Sequence, residues 1–244
     1  MGGLSIVARY IYGLDPASKN DWFGIVVHEL MMAAHERPPR LRAINQMTHT
    51  SFDKIYGYLV EDMFKRYPPY YIVIDYSNEK TFSDLLVRLY GKEKVERIAF
   101  SNANKLMLKE DGLAIMKQEY KFPNPAKVAD PAVAQLILLL VQQLKSEQIL
   151  QTATGKTTFD HPRGQHNDLA IAWELSIHGC LKFMIRGQRN TGLVYSRKYD
   201  YDDYASSSLG YASNNNYNNH GLGSGVPDRV GVTRTDRAII YPGR

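Results

Sequence analysis

A single cysteine, Cys180, stands in the 244 residues, so neither an internal disulfide nor a cysteine-rich zinc site can form, and a reducing compartment is the simpler expectation. Long apolar runs are missing as well: the longest, Leu136 to Val141, is far too short to cross a bilayer. The amino terminus lacks the basic region, apolar stretch and small-residue cleavage site of a secretory signal. These absences predict a soluble intracellular protein with no membrane partner. Charge of one sign is not dominant, because 30 Lys and Arg face 25 acidic residues and the net charge of +5 is too small to identify a polyanionic partner. No internal repeat is present, and no serine sits in a nucleophile elbow. Thr154-Gly155-Lys156-Thr157 matches the end of a phosphate-binding loop, but the pattern needs a glycine where Leu150 stands.

What is present is a chain 44% hydrophobic, enough for one core of roughly 150 to 200 residues. Ile6 to Leu14, Trp22 to Leu30 and Leu41 to Met47 have the β-branched and aromatic content of consecutive antiparallel strands, with Pro38 and Pro39 between the second and third. Phe52, Ile55, Tyr56, Leu59 and Met63 follow helical spacing up to Pro68 and Pro69. Tyr70 to Ile74 is a short apolar run of the kind buried on both faces of a sheet. Thr81 or Ser83 is placed to cap the next helix and Gly91 to end it, and Val95 to Phe100 reads as a fifth strand. Lys105 to Tyr120 carries no clear pattern. Pro131 to Leu150 predicts an apolar helix, Thr157 to Asp160 is too short to classify, and Leu169 to His178 predicts a last helix ended by Gly179. Three antiparallel strands followed by helix, strand, helix, strand is the order of a mixed five-stranded α/β sheet of the RNase H-like kind, flanked by helices.

Three aspartates fall at informative places. Asp15 ends the first strand, Asp75 ends the fourth, and Asp168 lies in the first turn of the last helix. A lone strand-terminal acid is usually a turn residue. If the first and fourth strands lie side by side and parallel, however, Asp15 and Asp75 emerge at one edge, where the start of the late helix can join them. Clustered carboxylates call for a compensating cation, and oxygen donors suit magnesium or manganese. Two such ions, about 4 Å apart, suit phosphodiester hydrolysis without a covalent nucleophile.

The stretches GLDPASKNDWFGIVV (Gly13 to Val27), YIVIDYSN (Tyr70 to Asn78) and HPRGQHNDLAIAWELSIHG (His161 to Gly179) resemble the three acidic motifs of viral large-terminase nuclease domains, in order, over Tyr10 to Leu181. The resemblance implies an RNase H-like nuclease domain over residues 1–186, with Asp15, Asp75 and Asp168 as metal ligands and Asp21 as an auxiliary acid. It further implies an endonuclease that cuts double-stranded DNA in viral genome packaging, in the host cytoplasm. An ATPase motor, a small terminase and a portal protein would be its partners. One departure is that the family's third motif usually has a histidine and two aspartates, where this chain has His166, Asn167 and Asp168. A neutral amide replaces one carboxylate, which bears on the second ion.

His166 is open between a group that orients water or phosphate and a loop histidine bonded to backbone; His161 is a weaker candidate. Lys80, soon after Asp75, is the preferred phosphate contact among cations that include Lys19, Arg37, Arg40, Arg42 and Lys156. Residues 187–244, rich in Asn, Tyr, Gly and Ser, read as a flexible tail. Two other readings stay open. Another RNase H-like nuclease, of the Holliday-junction resolvase or transposase type, would share the metal site but prefer a different DNA shape. A silent nucleic-acid-binding or assembly module would bind DNA without cutting it.

Overall fold

The structure, a computed structural model, describes residues 8–16, 22–31, 38–48, 50–77, 80–151, 157–160 and 166–189. Asp21, Lys19, Arg37, Lys156, His161 and residues 190–244 lie outside the described residues. Strands β1 (Ala8–Asp15), β2 (Trp22–Met31), β3 (Arg40–Thr48), β4 (Pro69–Asp75) and β5 (Val95–Ile98) form one sheet in the order β3-β2-β1-β4-β5. The first three pair antiparallel, while β4 runs parallel to both β1 and β5. This is the mixed sheet expected from the element order. Hairpin connections allow the antiparallel pairs, and the helical crossovers allow the parallel ones.

Helices cover both faces. Alternation along the central strands sends Tyr12, Leu14, Ile25, Val27, Ile72 and Ile74 to one side. There they meet a continuous helical run made of α1 (Phe52–Tyr56), a π-helical segment (Gly57–Met63) and α2 (Phe64–Arg66), together with α3 (Lys80–Tyr90). The other side receives α4 (Asn102–Met116), α5 (Pro131–Ser146) and α6 (Asp168–Arg189). A register shift between Val27 and His28, opposite Arg42, lets both Leu41 and Ile44 face this second side. Each fully buried aliphatic side chain in these layers contributes about 1.5–3 kcal/mol. No helix among the described residues is long and apolar enough to cross a membrane.

Several boundaries differ from the sequence reading. The segment Lys105 to Tyr120, unassigned from its pattern, holds most of α4, capped by Ser101 Oγ, which accepts the Asn104 N–H at 3.2 Å. Helix α5 stops at Ser146 because Glu147 turns extended, and Gln148–Gln151 then pairs antiparallel with Thr157–Asp160 as β6 and β7. Thr81 and Ser83 lie inside α3, which starts at Lys80, while Gly91 ends it with φ +83. Gly179 does not end α6: a Cβ there would press on Ile11 and Val73, so the glycine serves a close helix-to-sheet approach and the helix runs on to Arg189.

Two polar networks tie α6 down. His28 is wholly buried; its Nδ1–H donates to Ser176 Oγ (2.8 Å), since the Ser176 hydroxyl itself donates to Trp173 O (2.7 Å). Tyr120 Oη–H donates to His28 Nε2 (2.7 Å), and burial pushes the imidazole down to about 3. His178 behaves oppositely. Burial works against its charge, but Asp111 at 2.6 Å and Glu96 at 3.6 Å outweigh that penalty and push it up to about 9. Its contribution to stability is therefore complete below pH 6.5 and lost as the pH rises through about 9. The difference in melting temperature between the parent and His178→Gln should shrink over that interval. A gap that stays constant from pH 6 to 9.5 would contradict a charged His178.

Candidate active site

The Asp15, Gly13 and Ile11 side of β1 faces α6, as the packing of Gly13 and Ile11 against that helix shows. By the same alternation Asp75 follows Tyr71 and Val73 on the α6 side of β4. Leu14 is registered with Ile74, so Asp15 and Asp75 leave neighbouring parallel strands at the same edge. Asp15 is also registered with Gly24 of β2, and a Cβ on Gly24 would collide with the Asp168 carbonyl oxygen. Glycines at 13 and 24 thus allow α6 to lie directly on the strands, with Ala172 and Ser176 over Gly13 and Asp168 over Gly24. The three aspartates share one face and one edge, exposed by only 8%, 2% and 6% for Asp15, Asp75 and Asp168. Carboxylates so shielded demand compensation.

Asp75 has part of it. Its Oδ1 accepts the Ser77 N–H at 2.8 Å and the Ser77 hydroxyl at 2.7 Å, and Ser77 Oγ accepts the Phe100 N–H at 2.7 Å. Burial nonetheless raises its pKa above the ordinary carboxylate range, against the two Ser77 bonds and the positive charge of Lys105. Asp168 is the first residue of α6, at its positive end, and the Asn167 carbonyl accepts the Ile171 N–H at 2.9 Å. His166 is exposed, with Nδ1 4.0 Å from Asp168 Oδ2 and its ring edge-on to Trp22 at 6.2 Å.

The donors fit a hard divalent cation in kind: three carboxylates and no sulfur. Among the described residues, no three His, Cys, Asp or Glu side chains are already drawn together as a metal-holding group. Cys180 is buried within α6 with its thiol pushed up, which removes it as a nucleophile.

Lys80 is exposed at the start of α3, whose buried residues Phe82 and Leu86 pack in the layer opposite α6. Lys105, in the first turn of α4 on the α6 side, lies close enough to Asp75 for its positive charge to act against the burial that raises that carboxyl. Ser77 and Lys105 were both missed from the sequence. Ser77 was discoverable, since a serine two residues after a strand-ending aspartate has the spacing of an Asx turn. Lys105 was not, because its segment showed no helical pattern.

No protein-family model matches the chain, and no curated protein matches its sequence. Solved structures do match its fold. The large terminase nuclease from thermophilic phage G20c superposes with TM-score 0.52 at 15% identity, covering 70% of this chain and 82% of that one. The same nuclease with bound magnesium gives 0.53 at 16% identity over 70% and 81% of the two chains. The Thermus phage P74-26 large terminase nuclease domain gives 0.51 at 15% over 69% and 78%. The fold is thus that of large-terminase nuclease domains, a mixed five-stranded RNase H-like sheet between helices.

Proposed function

We propose that the chain, carrying a fold shared with phage nucleases, is a divalent-metal-dependent endonuclease that hydrolyses phosphodiester bonds of double-stranded DNA. The observation that carries this reading is that Asp15 and Asp75 end neighbouring parallel strands while Asp168 starts the helix packed over Gly24, on the same face of the sheet. Those three would hold the cation, with Asp21 auxiliary, and the magnesium-bound G20c nuclease supports such an ion. A bound divalent ion, or a pair, supplies an activated water and charge stabilisation on the phosphate. This chain's residues do the rest. Ser77 fixes the Asp75 carboxylate, the positive end of α6 favours ionised Asp168, and Lys105 adds positive charge beside Asp75 where a phosphate can approach. His166, beside Asp168, can orient water or a phosphate oxygen. A role in genome packaging, with an ATPase motor, small terminase and portal as partners, completes the proposal.

Supercoiled plasmid incubated with magnesium, manganese or chelator tests the reading. Nicking that needs the metal and is lost in Asp15→Ala and Asp168→Ala is expected. Cleavage surviving both substitutions refutes the site, and a folded parent that binds DNA without cutting favours the silent module.

A further inference from the structure

A second recess opens beside the carboxylates. Gly24, under Asp168, is registered on its far side with Gln46 of β3, so Asp15, Gly24 and Gln46 form one row across three strands. At about 4.8 Å per strand, Gln46 lies roughly 10 Å from Asp15. Over this end of β2 and β3 is a cavity of about 310 Å³ walled by Trp22, Gln46, Leu139, Gln142, Gln143 and His166. Gln143 is 4% exposed, and its Oε1 accepts the Ala170 N–H at 3.0 Å, which fastens this wall to the helix that carries Asp168.

The lining is specific in kind. An indole and an imidazole, edge-on to each other, offer flat π surfaces, and the Gln46 and Gln142 amides offer paired donors and acceptors. The side chains named in this wall carry no fixed positive charge, so it is not built for phosphate. Aromatic faces that stack bases, together with amides that bond to base edges, are the means by which proteins hold unpaired nucleotides.

We propose that this recess binds an unpaired nucleobase of the substrate strand next to the scissile phosphate, stacked on Trp22 and bonded by Gln46 and Gln142. The enzyme then favours ends, gaps and mispaired sites, where a base is cheaply extruded, over uniformly paired duplex. This rests on the nuclease reading for the identity of the strand, but its test needs no cleavage.

The chain has two tryptophans, and Trp173 is 1% exposed, so quenching by a bound base reports Trp22. In chelator, oligothymidylate should quench the fluorescence of the full chain, whereas an abasic oligomer of equal length should not. Trp22→Phe should abolish the signal and keep affinity near that of the parent. Trp22→Ala, with its fold checked by circular dichroism, should bind a labelled oligothymidylate roughly five- to a hundredfold more weakly, the range of base-aromatic stacking. Equal quenching by the abasic strand, quenching that survives Trp22→Phe, or unchanged affinity in Trp22→Ala overturns the proposal. So does a bound oligomer that quenches nothing. Thymidine monophosphate quenching as strongly per base as the oligomer would assign the recess to a free nucleotide and overturn the substrate-strand assignment.

Discussion

Asp75→Asn should abolish metal-dependent nicking while leaving the protein folded and, without metal, more stable than the parent at neutral pH. The amide oxygen can still accept both Ser77 bonds, so the link from β4 through Ser77 to Phe100 survives. What disappears is a charge that burial disfavours, which is why removing it favours the folded state. Activity should fall by at least about a hundredfold, the scale set by deleting one preorganised charge-stabilising group. Calorimetry and plasmid nicking on one preparation check both halves. A destabilised variant would mean that the Asp75 charge holds the fold together, and a fully active one would remove Asp75 from the site.

The second large effect is expected at Gly24. Alanine there would drive its methyl into the Asp168 carbonyl, which is backbone and cannot swing aside as a flexible side-chain tip does. Overpacking of this kind costs about 1–3 kcal/mol. In a domain of this size that lowers the melting temperature by several degrees, roughly 2–4 °C per kcal/mol. Because the displaced group is the start of α6, nicking should fall with stability. Gly57→Ala is the control. Its backbone is helical and nothing lies within 4 Å of an added Cβ, so stability should rise by up to about 1 kcal/mol. Similar melting temperatures for the two variants would show that α6 can slide on the sheet.

Strand β4 was legible because a strand buried on both faces reads as an unbroken apolar run ending at a lone acid, and Tyr70 to Asp75 is one. Parallel pairing of β1 with β4, a condition in the sequence reading, is what the structure has, and it brings Asp15 and Asp75 to one edge. Glycine misled at residue 179 because sequence cannot separate a helix-ending glycine from one kept small by an opposing strand; Ile11 and Val73 decide the matter. The same ambiguity hid α4, whose Gly112 interrupts the pattern and sits against the Trp173 ring. The α5 boundary was overrun because Gln148 to Leu150 continues a helical composition and only pairing with β7 draws it into a strand. The recess around Trp22 was invisible for another reason: its walls come from β2, β3, α5 and His166, two residues before α6, which meet only in the folded chain.

Because α6 packs directly on Gly13 and Gly24, a chain still emerging from the ribosome carries Asp15 and Asp75 on a sheet that this helix has yet to cover. The third carboxylate arrives only with residue 168, after both strand-borne acids have been made. Under the proposed nuclease reading, synthesis itself would then act as a safety catch, withholding the complete carboxylate set from every unfinished copy until α6 has docked.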